Sequence, residues 1–221
     1  MPIEAIIFDM DGVLIDSEII WEEERLAFAA ERNAVWTPAD QITVMGGTSR
    51  EWAGGMKRIM KLEDMIVDEI IEDMLRRMNT RYRQKLPIIP GAVEAVQRAA
   101  SRYPIGLASG SPATVIRAVL ELTGLDTVFR VVVSGDEMQR GKPAPDIYLE
   151  AARRLGVPPE RCAGIEDSSN GIRSLKAAGM RVIAIPHPDY APAPEVLALA
   201  DVRLSNIDAL TLEVLAGNST L

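Results

Sequence analysis

Carboxylates dominate the places in this 221-residue chain where side chains could do chemistry. Asp9 and Asp11 follow an apolar stretch that ends at Phe8, Glu166 and Asp167 follow another that ends at Ile165, and Ser109 closes a third. Lys142 stands between Gly141 and Pro143 in a loop between two regular elements. Such oxygens suit a hard divalent cation. Mg²⁺ takes one or two protein carboxylates and keeps its other positions for water and substrate phosphate, a need that Asp9 and Asp167 meet. Carboxylates forced together repel, and a cation between them keeps them ionised near neutral pH. A phosphate ester would add negative charge, which Lys142 and the metal offset, with Ser109 as a further donor. The amides at Gly110 and Ser111, just ahead of Pro112, can form an anion-holding helix N-terminus. Together these parts suit phosphoryl transfer.

The elements that must position them alternate. Ile3–Phe8 reads as a buried strand, as do Pro104–Ala108, Val131–Val133, Cys162–Ile165 and Arg181–Ile185. Helical periodicity marks 113–122, with Ser111 as N-cap and Pro112 at the first helical position, and then 146–155 and 170–178, followed by Gly156 and Gly179 as C-caps. Alternating units of this length predict an α/β fold, a parallel Rossmann-like sheet with helices on both faces. In such a sheet, ligands bind beyond the carboxyl ends of the strands, where all of these polar residues fall. Residues 17–86 differ. They carry no strand signal and are rich in Glu, Arg, Met and Ala, with apolar spacing at Ile66, Ile70, Ile71 and Met74, so they predict an all-helical insertion. The run Pro87-Ile88-Ile89-Pro90-Gly91 marks its exit. The expected division is a core of residues 1–16 and 87–221 and an inserted unit of residues 17–86.

Composition narrows the function. With 48% hydrophobic and 25% charged residues and a net charge of −8, the chain lacks the clustered basic charge that nucleic acid or an anionic membrane surface needs. No apolar run is long enough to span a bilayer. One cysteine and one histidine leave no intramolecular disulfide, no zinc site built from those residues, and little room for a Ser-His-Asp or Cys-His arrangement. Nothing in the first residues suggests secretion, so a cytoplasmic enzyme working through carboxylates is expected.

Four segments carry a resemblance: Phe8-Asp9-Met10-Asp11-Gly12-Val13, Leu107-Ala108-Ser109-Gly110-Ser111, Gly141-Lys142-Pro143-Ala144-Pro145-Asp146 and Gly164-Ile165-Glu166-Asp167-Ser168. In this order, each at the end of a predicted strand, they resemble the four motifs of the haloacid dehalogenase-like (HAD) hydrolases over essentially the whole chain. The resemblance implies that Asp9 is a nucleophile that becomes an aspartyl phosphate, and that Asp11 protonates the leaving oxygen and then activates water. It implies Mg²⁺ bound by the Asp9 carboxylate, the Asp11 carbonyl and Asp167, with Glu166 direct or through water. Ser109 and Lys142 would hold the phosphoryl oxygens. It argues against carbon–halogen chemistry, because members with that activity lack the second Asp and the metal.

Residues 17–86 sit where one branch of the family inserts a helical cap that closes over the substrate. Within that branch the chain resembles sugar-phosphate phosphatases and β-phosphoglucomutases. The mutases carry a His where this chain has Trp21 and a Lys where it has Gly46, while Arg50 in Gly47-Thr48-Ser49-Arg50 matches. Trp21, Gly47 and Arg50 are therefore the expected substrate contacts of the cap, with Trp21 offering a sugar an apolar face. Trp36, Trp52 and the cap methionines read as packing residues, His187 as a loop residue, and Glu22-Glu23-Glu24 as a solvated helix face. The resulting expectation is a Mg²⁺-dependent phosphatase for a small phosphorylated metabolite, in a monomer or small homo-oligomer. A phosphomutase using the same intermediate is the alternative, and a non-catalytic metabolite-binding regulator is the reading from another class.

Overall fold

A computed structural model describes residues 2–45, 47–188 and 191–217. Strand β1 (Ala5–Phe8) has no exposed residue and lies at the centre of the sheet, where an unbroken apolar run belongs. Its neighbours are β2 (Ile105–Ser109) and β4 (Cys162–Glu166), and β3 (Val131–Ser134), β5 (Arg181–Ala184) and β6 (Val202–Arg203) complete an all-parallel sheet in the order β3-β2-β1-β4-β5-β6. Alternation sends Ile6 and Phe8 into one apolar cluster and Ala5 and Ile7 into another, one on each face. The register pairs Phe8 with both Leu107 and Ile165. Asp9, Ser109, Glu166 and Asp167 therefore emerge together at the carboxyl edge, beside the point where successive strands switch from one side of β1 to the other.

Sequence periodicity locates the crossover helices closely. Between the strands run α5 (Ala92–Ala100), α6 (Ala113–Thr123), α7 (Asp146–Leu155) and α8 (Ser169–Ala177). Gly156 ends α7 at φ +73°, and Gly179, at φ +75°, follows the last turn of α8. Helix α5, strand β6 and the short α9 (Pro194–Leu197) and α10 (Leu212–Ala216) were not expected from the sequence. The first strand is shorter than predicted, and Ser111 does not cap α6. The capping position is Pro112, which offers no side-chain acceptor, and the Ser111 hydroxyl turns to Asp11 instead.

Between β1 and α5 the chain forms α1 (Glu18–Ala30), α2 (Pro38–Val44), α3 (Ser49–Met60) and α4 (Val67–Gln84). Thr37 with Asp40 and Thr48 with Glu51 form capping boxes that start α2 and α3. Phe28, Met56, Ile70, Met74 and Met78 pack with no exposure between these helices, whereas Ile66 is 60% exposed because it precedes α4 rather than lying on its buried face. The Glu22-Glu23-Glu24 run is not uniformly solvated. Glu24 is buried and pairs with Arg81 (2.9 Å), which also meets Glu23. The chain enters and leaves this helical insertion side by side: the Asp16 amide donates to Pro87 O (2.8 Å), and the Ile89 amide donates to Leu14 O (3.0 Å). No helix among the described residues is long and apolar enough to cross a membrane.

Candidate active site

A cavity of about 530 Å³ lies at the carboxyl edge of β1 and β4, closed on one side by the core loops and on the other by α1 and by Ile42, Val44, Met45 and Gly47 of the insertion. The two sides touch. The Ser49 amide donates to Asp136 Oδ1 (3.3 Å), and Gly141 approaches the start of α3 so closely that a Cβ there would lie 2.6 Å from Glu51 Oε2.

At the base of the cavity, Asp9 is 5% exposed and the Lys142 side chain 4%. Lys142 Nζ stands 2.9 Å from Asp9 Oδ1 and donates to Glu166 Oε1 at 2.7 Å and to Ala108 O at 3.3 Å. Burial pushes the Asp9 carboxyl well above the usual range. Lys142 opposes this, and the charges of Glu166 and Asp11 add to it. Asp167 is raised in the same way, first by burial and then by Glu166 and Asp9. Burial lowers the Lys142 pKa, but the two carboxylates outweigh it and hold its ammonium above the ordinary lysine value.

Asp9, Glu166 and Asp167 each offer a carboxylate oxygen, all within 4.8 Å of one another. Asp9 Oδ1 and Asp167 Oδ1 are buried without an aligned hydrogen bond among the described residues, an arrangement that a hard cation satisfies. Gly12, at φ +76°, makes room for Asp167, since a Cβ there would lie 2.0 Å from Asp167 Oδ2. Glu166 differs from its two neighbours. It is fully buried, and both oxygens are taken by the protein: Oε1 by Lys142 and Tyr148 (2.7 Å each), Oε2 by the Asp167 and Ser168 amides (3.0 and 3.1 Å) and the Ser168 hydroxyl (3.0 Å). These donors keep its carboxyl below the usual value despite burial, so Glu166 acts here as the anchor of Lys142. Tyr148 was not expected from the sequence.

Asp11 is held by three hydroxyls: Ser17 Oγ donates to Oδ1 (2.6 Å), and Ser109 Oγ (2.9 Å) and Ser111 Oγ (2.8 Å) donate to Oδ2. Ser109 is fully buried and accepts from the Ser111 amide (3.0 Å). In this arrangement its hydroxyl serves Asp11, while Gly110 and Ser111 line the cavity itself.

Of the residues expected from the insertion, Trp21 and Gly47 line the cavity, with the Trp21 ring 5.4 Å from that of Trp52, which lines it too. Arg50 does not. Its side chain is 75% exposed and pairs with Asp68 (3.1 Å), because the first turn of α3 directs it toward the start of α4. Gly46 lies outside the described residues. Glu18, Arg25, Asp16 and His187, which sequence reasoning missed or read as loop, also line the cavity, and His187 Nε2 stands 3.4 Å from Asp16 Oδ1. The spacing of Trp21, Arg25 and Phe28 carried a signal, since steps of four and three place Arg25 on the buried stripe of α1.

A parallel sheet in this strand order, with a cation-ready carboxylate set and a buried ammonium at its switch point, defines an α/β enzyme core built for anionic substrates. Residues 3–179 match the haloacid dehalogenase-like hydrolase family, and the chain belongs to that family. It is 34% identical to hexitol phosphatase B of Escherichia coli strain K12 over 96% of each chain. It is 32% identical to a phosphorylated carbohydrates phosphatase of Thermotoga maritima, over 96% of this chain and all of that one. Among solved structures, CbbY from Rhodobacter sphaeroides in complex with phosphate superposes with a TM-score of 0.85, at 26% identity over 96% of this chain and 99% of that one.

Proposed function

We propose that the protein is a Mg²⁺-dependent phosphatase that hydrolyses a small sugar phosphate through an aspartyl phosphate on Asp9. The observation that carries this reading is the base of the cavity, where Asp9 Oδ1 faces the Lys142 ammonium and, like Asp167 Oδ1, is buried with no aligned hydrogen bond among the described residues. Both phosphatase relatives, over nearly their full lengths, support the substrate class. Asp9, Asp167 and the Asp11 carbonyl would hold Mg²⁺, and Glu166, with its oxygens occupied, would act behind them. When bound, the cation offsets charge on the carboxylates and on the phosphoryl oxygens.

Asp9 attacks phosphorus, the P–O bond to the sugar breaks, and the leaving oxygen takes its proton from Asp11. Asp11 then removes a proton from water, whose oxygen attacks the acyl phosphate and releases inorganic phosphate and free Asp9. Lys142 neutralises the transferred group, and the Gly110 amide receives one of its oxygens, while the Ser111 amide stays on Ser109 Oγ. The three serine hydroxyls hold the Asp11 carboxyl in place between the two proton transfers. Residues 17–86 would serve as the cap that excludes water until the leaving group departs, in a cytoplasmic enzyme.

The test is phosphate release from a panel of phosphorylated metabolites, with Mg²⁺ and with chelator, beside Asp9→Asn. Release that needs Mg²⁺ and is lost in the variant supports the phosphatase. Isomerised sugar phosphate without free phosphate would establish the mutase instead.

A further inference from the structure

The wall opposite Asp9 is one face of α1. Glu18, Trp21 and Arg25 recur at steps of three and four, so the helix sets them in one stripe about 10 Å long, and all three line the cavity. Arg25 is 3% exposed, and its Nε and Nη1 have no hydrogen-bond partner. Its guanidinium lies 4.8 Å above the Trp21 ring. Burial brings its pKa down to about 10 against the pull of Glu18 and Tyr82, so it stays charged at neutral pH, yet it forms no ion pair among the described residues. A buried cation whose donors meet no acceptor is costly, and a bound ligand is the source of acceptors on this wall.

Glu18 supplies the opposite chemistry. Gln41 Nε2 donates to its Oε2 (3.0 Å) and is itself fixed by Trp36 Nε1 (3.2 Å), while Oε1 has no hydrogen bond among the described residues. A fixed acceptor, an apolar ring and an unsatisfied donor thus follow one another along the wall.

We propose that the stripe Glu18, Trp21 and Arg25 recognises the leaving group as an uncharged polyol, and that it sets specificity against substrates carrying a second phosphate. Polyol hydroxyls donate to Glu18, their oxygens accept from Arg25, and the carbon chain borders the part of Trp21 that lines the cavity. Asp16 and Glu18 set two carboxylates against one guanidinium on this side of the cavity, so a second phosphate meets repulsion there. The proposal rests on the phosphatase reading for the chemical step and adds the groups that select the substrate.

The experiment compares kcat/KM for glucitol 6-phosphate, fructose 1,6-bisphosphate and phenyl phosphate in the full chain and in Arg25→Met, which keeps length and stacking on Trp21. The native protein is expected to favour glucitol 6-phosphate over the bisphosphate by about tenfold or more. Arg25→Met is expected to lower the ratio of glucitol 6-phosphate to phenyl phosphate by about 10- to 100-fold, the worth of one or two charged hydrogen bonds. An unchanged ratio, or a native preference for the bisphosphate, overturns the proposal. Glu18→Gln, nearly isosteric, guards against a misfolded Arg25 variant: it should lower the same ratio and raise relative activity on the bisphosphate, and no change in either overturns the role of Glu18. Titrating Asp9→Asn with glucitol 6-phosphate, followed by tryptophan fluorescence, separates the two readings. Arg25-dependent binding to a protein whose native form hydrolyses no ester keeps the stripe and removes the phosphatase, whereas hydrolysis of phenyl phosphate without such binding removes the stripe alone.

Discussion

Lys142 serves two buried carboxylates at once, and its removal has consequences of two kinds. Lys142→Met strands Asp9 and Glu166 without a counter-charge, which is expected to cost about 3–5 kcal/mol in denaturant unfolding. In the proposed mechanism it also removes a donor to the transferred phosphoryl group, for which a loss of about 10²- to 10³-fold in phosphate release is expected. Gly12 works through space rather than charge. A methyl group at its positive φ, 2.0 Å from Asp167 Oδ2, displaces that carboxylate, so Gly12→Ala should weaken Mg²⁺ binding about 10- to 100-fold by calorimetric titration. The meeting of Asp9, Asp11, Lys142 and Asp167 at one cavity was legible because each follows a strand or sits in a marked loop. Ser111 was not read as a partner of Asp11, because the two meet across 100 residues and no local pattern records such a meeting. Arg50 stands outside the cavity lining for the converse reason: its place beside a substrate-like turn says nothing about which way the helix points it.

Helices α1 and α4 are joined by a charged lattice. Asp73 accepts from Arg32 (3.0 Å), Arg76 (2.6 Å) and Arg77 (3.0 Å), and Arg77 reaches on to Glu31. Burial would raise the Asp73 carboxyl, but Arg77, Arg76 and Arg32 together hold it below its usual value. The Arg77 hydrogen bond, foremost among several causes, lowers Glu31 likewise. A carboxyl depressed by folding stabilises the protein above its unfolded value, near pH 4, and loses that contribution as pH falls through the folded one. Asp73→Asn is therefore expected to lower stability at pH 7 by about 1 kcal/mol, a modest figure because the pairs are partly solvated. Urea melts repeated toward pH 3 should show native and variant converging; a gap that stays constant would assign the loss to packing instead. The helical character of residues 17–86 was legible from composition and spacing. The lattice was not, because opposite charges 41 to 58 residues apart become neighbours only once the helices pack.

At the scale of the molecule, the sheet was read from its five apolar strands, and the four motifs followed from it. Strand β6 escaped because two residues, Val202 and Arg203, carry no period, and α5 because its alanine-rich face is short and lies behind the Pro-Gly exit. Cys162 opens β4 with no exposure, and burial pushes its thiol up to about 12. It should resist thiol reagents in the native protein and react only at the rate of global unfolding, and fast labelling would show that β4 opens on its own. Strand β1 has a further consequence for how the molecule comes into being. It precedes its two neighbours, which begin at Ile105 and Cys162, so its apolar residues wait, unpaired, while the whole helical insertion is made. The four helices of the insertion contact one another over much shorter separations and can assemble in that interval. The newborn chain thus passes through a stage in which the helical insertion can already be shaped while the central strand of the sheet still waits for its neighbours.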